Sequence, residues 1–120
     1  MILVAVDDLL FSSKIRATAK HAGVELTFAR SPQDILQQAR TLKPAMAIFD
    51  LNSGKTDPIA TIRALKADPE LTSIQTIGFV SHVDAATIEA ARNAGIDEMM
   101  ARSAFVAHLP EILAAGGAGS

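Results

Sequence analysis

Five short apolar runs, each separated from the next by a longer amphipathic stretch, constrain this chain more than any other feature. They are ILVAV (2 to 6), VELTFA (24 to 29), AMAIF (45 to 49), TIGFV (76 to 80) and the weaker EMMA (98 to 101). Several are continuously apolar instead of alternating, which is the pattern of a strand covered on both faces and hence of a parallel sheet. Between the runs, Phe11, Ile15, Ala19 and Ala22 fall on one helical face. So do Ile35, Ala39 and Leu42, then Ile59 with Ile62, and then Ile88 with Ala91.

Local signals mark where these helices start and stop. Ser31, Pro32 and Asp34 read as an N-cap, a proline at the first helical position and an acid in the first turn. Asp57 before Pro58 repeats the idea, Asp84 opens the fourth helix, and Gly23 and Gly95 stand where C-terminal caps belong. In the last helix Phe105, Leu109, Ile112 and Leu113 share a face, but Pro110 removes a hydrogen bond inside it, so it is either kinked or begins late. The closing GGAGS (116 to 120) reads as a flexible tail that packs on nothing, which leaves a single domain over residues 1–115. Five βα units in this length predict an α/β doubly wound sheet, because right-handed crossovers put helices on both faces.

Composition removes several function classes. The 120 residues carry 11 Lys and Arg against 13 Asp and Glu, a net charge of −2 that offers no electrostatic footprint for nucleic acid or an anionic membrane. With no cysteine there is no disulfide framework and no thiolate site. The start MILVAVDD lacks a basic segment and meets two acids, and nowhere do 18 apolar residues run together, so a soluble cytoplasmic protein is expected.

Ligands of doubly wound folds bind beyond the carboxyl ends of the strands. The residues there are Asp7 and Asp8, then Asp50, then Ser81 and His82, then Arg102. Singly, Asp7 and Asp8 are equally readable as helix-capping acids, and Arg102 as a surface ion-pair partner. Asp50 is harder to dismiss, because an acid at the end of an apolar strand is costly unless paired or metal-bound. Three carboxylates on one rim repel one another and call for a cation; a hard divalent ion with oxygen ligands fits, Mg²⁺ before Zn²⁺. So screened, Asp50 can act as a nucleophile toward a phosphoryl group, with Ser81 and Arg102 on its oxygens.

Other motifs carry less. SGKT (53 to 56) lacks the glycine that a phosphate-binding loop needs at position 49, where Phe49 stands. DLN (50 to 52) offers Asn52 where an aspartyl phosphatase of the D-x-D type needs a general acid, so an enzyme of that kind is not expected. Two anions in the first loop also disfavour a flavin phosphate. His21 and His108 have no metal-ligand spacing, His82 reads as structural or solvated, and Met99 and Met100 read as core filler.

VDD (6 to 8), DLNSGKTDP (50 to 58) and AGIDEMMARS (94 to 103) together resemble the response-regulator receiver domain of the chemotaxis-regulator type, over essentially the whole chain. The resemblance implies a flavodoxin-like strand order 2-1-3-4-5, with Asp50 as phosphoacceptor. Asp8 would ligate Mg²⁺ directly, Asp7 largely through water, and Asn52 through its backbone carbonyl; Ser81 fills the switch position. The chain departs from the family at several points. Arg102 stands for a nearly universal lysine, Ser103 for a proline preceded by a cis bond, Met99 for a Tyr or Phe, His82 for a small residue, and Ser53 and Gly54 for Met and Pro. What the resemblance implies is a stand-alone signalling domain of a two-component phosphorelay, not an enzyme. It would take a phosphoryl group from a sensor histidine kinase or phosphotransfer protein and act on a downstream protein partner. The alternative is a phosphorylation-independent adaptor that keeps the fold with a degraded switch.

Overall fold

The structure, a computed structural model, describes residues 1–82 and 84–118. Five parallel strands form one sheet in the order β2-β1-β3-β4-β5. They are β1 (Ile2–Ala5), β2 (Leu26–Phe28), β3 (Met46–Asp50), β4 (Gln75–Val80) and β5 (Glu98–Ala101). The helices are α1 (Leu9–Ala22), α2 (Pro32–Leu42), α3 (Pro58–Ala67), α4 (Ala85–Ala94), α5 (Arg102–Ala107) and α6 (Leu109–Ala118). This is the flavodoxin-like doubly wound arrangement that the apolar runs and the resemblance predict.

Period-two alternation divides the core between the faces. Ala47 and Phe49 pack with α2, α3 and α4 through Ile35, Ile62, Leu65 and Ala91. Met46 and Ile48 pack on the opposite face with α1, α5 and α6 through Phe11, Ile15, Phe105 and Leu113. Burial on both faces is why the central runs contain no polar alternation: all five residues of β3 are buried.

The caps follow the sequence signals at most ends. Ser31 and Asp84 accept from the backbone N–H of Asp34 and Ala86, and Gly23 and Gly95 close their helices in the left-handed region at φ 73° and 98°. Asp57 is a correction. It precedes Pro58 with φ 42°, and from that left-handed backbone its side chain makes no cap hydrogen bond. Instead Thr61 Oγ1 reaches back to the carbonyls of Thr56 and Asp57, at 2.8 Å each.

The C-terminal segment is the second correction. The chain breaks at His108, so the expected last helix is two, and Pro110 sits in the first turn of α6, where its missing N–H costs nothing. α6 then continues through Gly116 and Gly117 to Ala118, where a tail packing on nothing was expected. Gly116 is buried, and a Cβ there would stand 2.7 Å from Ile2 Cδ1 and 3.1 Å from Met46 Cε. The absent side chains let the helix lie close on the sheet, so these glycines serve packing and not flexibility. Residues 119 and 120 lie outside the described residues.

Candidate functional site

Register brings the strand ends to one level. Ala5 pairs with Phe49, Asp50 with Phe79 and Val80 with Ala101. The next residues of each strand, Asp7 and Asp8, Asn52, Ser81 and Arg102, therefore leave the sheet along one edge. Asp50 is the last residue of β3, one place earlier in the element than the run 45 to 49 implies, and it is only 9% exposed.

The Asp50 carboxyl is held above its usual range. Burial is the main cause; the Asn52 N–H, donating to Asp50 Oδ1 at 3.0 Å, works against it. The nearby Asp7 charge raises it further, Arg102 lowers it, and Asp8 raises it again. Residues from three separate segments thus act on one carboxylate.

Arg102 organises the rest. Its guanidinium lies 4.0 Å from the centre of the Phe11 ring, with Nη2 at 3.7 Å from Asp8 Oδ2 and Nη1 donating to Ser81 Oγ at 3.4 Å. Phe11 belongs to an aromatic cluster beneath the site, with ring centres 5.1 Å from Phe79 and 5.9 Å from Phe105. Asp8 is thereby doubly engaged, because its Oδ1 also accepts from Phe11 N–H at 3.1 Å and caps α1. The metal-site and helix-cap readings of this acid are therefore not exclusive in sequence, but in this arrangement the cap and the ion pair hold it.

Asn52 reaches in the other direction. Its side-chain Oδ1 accepts from the backbone N–H of Ser81 at 2.7 Å and of His82 at 3.2 Å, tying the loop after β4 to the loop after β3. His82 is exposed and contributes its backbone here. Met99 and Met100 are half-buried against opposite faces of the core. Among the described residues there is no cis peptide, so the bond before Ser103 is trans, as the serine there leads one to expect.

The donor chemistry at this edge suits a hard divalent cation: it is made of carboxylate oxygens, and the Asp7 and Asp8 charges add to burial in raising the Asp50 pKa. The resting arrangement does not present it as a cage. Among the described residues no group of three or more His, Cys, Asp or Glu side chains is disposed to hold a metal ion. Asp8 is turned to Arg102 instead.

Sequence reasoning did not find Phe11 as the seat of Arg102, nor the side chain of Asn52 as a tie between loops. The first had a signal, an aromatic three residues after a capping acid. The second had none, since a side chain meeting two amides 29 and 30 residues away depends on tertiary register.

Solved structures similar to this chain include several response regulators. The chain superposes on a putative response regulator from Chloroflexus aurantiacus with a TM-score of 0.79 at 21% identity, covering 94% of this chain and 96% of that one. It matches the chemotaxis response regulator CheY4 of Vibrio cholerae with a TM-score of 0.78 at 14% identity, over 93% and 97% of the two chains. The fold is that of response-regulator receiver domains. A third receiver structure, the Mn²⁺-bound form of response regulator Rcp1, matches with a TM-score of 0.78 at 15% identity over 94% and 91%. No protein-family model matches the sequence, and no curated protein matches it. Among the described residues no helix is long and apolar enough to cross a membrane.

Proposed function

We propose that this chain is a signal receiver whose phosphoacceptor is Asp50. The observation that carries the reading is one nearly buried carboxylate at the end of a central strand, under the joint influence of Asp7, Asp8 and Arg102. In the transfer, a carboxylate oxygen of Asp50 bonds to phosphorus while the donor's P–N bond breaks. The electron pair returns to the imidazole of a histidine kinase or phosphotransfer protein, which takes up a proton. In this reading Arg102 and Ser81, already in contact with each other, would meet the oxygens of the transferred group. Asp7, Asp8, Asp50 and the backbone carbonyl of Asn52 would hold Mg²⁺. When bound, that ion supplies positive charge against the oxygens of acceptor and phosphoryl group. Asp8 then has to loosen its hold on Arg102. The added charge at the strand ends is the signal read by a downstream protein.

One observation favours a second reading, a phosphorylation-independent adaptor. The Asp8–Arg102 contact gives the acid pocket an internal cation before any ligand arrives. A single experiment separates the two. The protein is incubated with Mg²⁺ and a small phosphodonor, and its intact mass is followed, with Asp50→Ala as control. One added phosphoryl group that depends on Asp50 supports the receiver. Its absence at every Mg²⁺ concentration supports the adaptor, and steady phosphate release with turnover would point to a phosphatase instead.

A further inference from the structure

The loop after β4 has two backbone donors, Ser81 N–H and His82 N–H, that converge on one oxygen. Adjacent amides aimed at a common point form a concavity suited to an anion. In this chain the point is filled from within by Asn52 Oδ1, while the backbone N–H of the same residue donates to Asp50 Oδ1. Asn52 thus bridges the candidate acceptor and the two donors. An oxygen carried on Asp50 and directed at those amides would meet the Asn52 carboxamide already in place.

Two further features fit a residue that holds a place instead of merely decorating a loop. The Asn52 side chain comes from β3's exit and so is present at high local concentration, which a diffusing ligand lacks. It is also a neutral acceptor, and charged phosphoryl oxygens make stronger hydrogen bonds to amides, so the exchange runs forward once the group is attached.

Resting on the phosphoacceptor reading of Asp50, we propose that Asn52 is a positioning residue that brakes acceptance. It keeps Ser81 and His82 drawn onto the end of β3 in the unmodified protein, and it must release Ser81 N–H and His82 N–H for a phosphoryl group to take them. The loop is therefore already drawn in before modification, and the phosphoryl group replaces one acceptor with another.

The test is Asn52→Ala in the full chain, with Mg²⁺ and acetyl phosphate as the probe. The Asp50 carboxylate forms its bond to phosphorus as the donor's P–O bond breaks, and acetate leaves with the electron pair. The labelling rate by intact mass should rise roughly three- to tenfold, the factor set by about one net hydrogen bond. Amide exchange at Ser81 and His82 should quicken in the same variant, and Asn52→Asp, which keeps an acceptor oxygen, should leave those amides slow. Asn52→Ser, too short to reach both amides, carries the same expectation as alanine should that variant not fold. A loop staple without a braking role would make labelling slower on its removal. If wild type labels and the alanine variant labels no faster, the brake is overturned and the acceptor reading stands. If neither labels, both fall. Unchanged exchange at the two amides removes the clamp itself.

Discussion

An acid, a cation and a hydroxyl meet at each end of strands β4 and β5, and the two trios are built to different tolerances. At the amino end, Asp97 Oδ2 takes Lys66 Nζ at 2.7 Å, Thr76 N–H at 2.8 Å and Thr76 Oγ1 at 3.0 Å. Thr76 Oγ1 also accepts from Asp97 N–H at 3.0 Å, and Lys66 Nζ also donates to the Ile74 carbonyl at 3.2 Å. At the carboxyl end, Arg102 stands 3.7 Å from Asp8 and 3.4 Å from Ser81. The same end holds Thr56 Oγ1, the one buried side-chain polar atom among the described residues with no hydrogen-bond partner. The closed trio has few donors and acceptors left to offer a ligand, so its work is to fix where β5 begins. The open trio keeps bonding capacity in reserve.

The comparison is most exposed to Asp97→Ala. It removes the acceptor of the fully buried Thr76 amide and hydroxyl and should cost about 2 kcal/mol, or roughly 10 °C in Tm, by thermal or urea unfolding. Arg102→Met at the other end should change stability by less than about 1 kcal/mol, as partly exposed pairs do. Equal costs at both ends would break the contrast.

A second measurement uses pH. Burial alone would raise the Asp97 carboxyl, but Lys66 and the Thr76 amide and hydroxyl more than offset it and hold the group below the ordinary 3.8. A depressed folded pKa stabilises fully above the unfolded value, and that contribution disappears as pH falls through the lower folded value. The acid limb of the stability curve, from about pH 4 downward, should therefore flatten in Asp97→Asn.

Thr56→Val removes the orphan hydroxyl while keeping the branched shape, and unfolding should show a gain of up to about 1 kcal/mol. No gain would mean that the hydroxyl has a partner and that the carboxyl end is as closed as the amino end. The smallest effects concern Arg102 itself. Freeing Asp8 by Arg102→Met should tighten Mn²⁺ binding severalfold in a direct titration, against a stability change that is nearly silent. Phe11→Leu keeps the apolar core contact but removes the aromatic seat; it should cost less than about 1 kcal/mol beyond repacking. It should also reproduce part of the Mn²⁺ effect.

Much of this molecule was written in local pattern. Continuous apolar runs declared strands buried on both faces, and Ser31, Asp84, Gly23 and Gly95 declared helix ends, because a cap is satisfied by backbone groups two to four residues away. The positions of Asp7, Asp8, Asp50, Ser81 and Arg102 at strand ends followed from the same runs. Asp57 failed as a cap because its backbone entered the left-handed region, which no neighbour in sequence announces; Pro58 beside it is a favourable helix-start signal. GGAGS misled because glycine has two meanings, freedom in water and close approach in a core, and only Ile2 and Met46 beneath Gly116 chose between them.

What the sequence determined by itself was the sheet, its helices and the set of groups at its carboxyl edge, since each depends on periodicity and on contacts within a few residues. Which of those groups holds which was decided by tertiary structure alone. Asp8 leans to Arg102, Asn52 spans to Ser81 and His82, and Asp97 locks Lys66 because parallel register sets distant segments side by side. A hydrogen bond is formed or lost over a few tenths of an ångström, a distance that no spacing along the chain encodes.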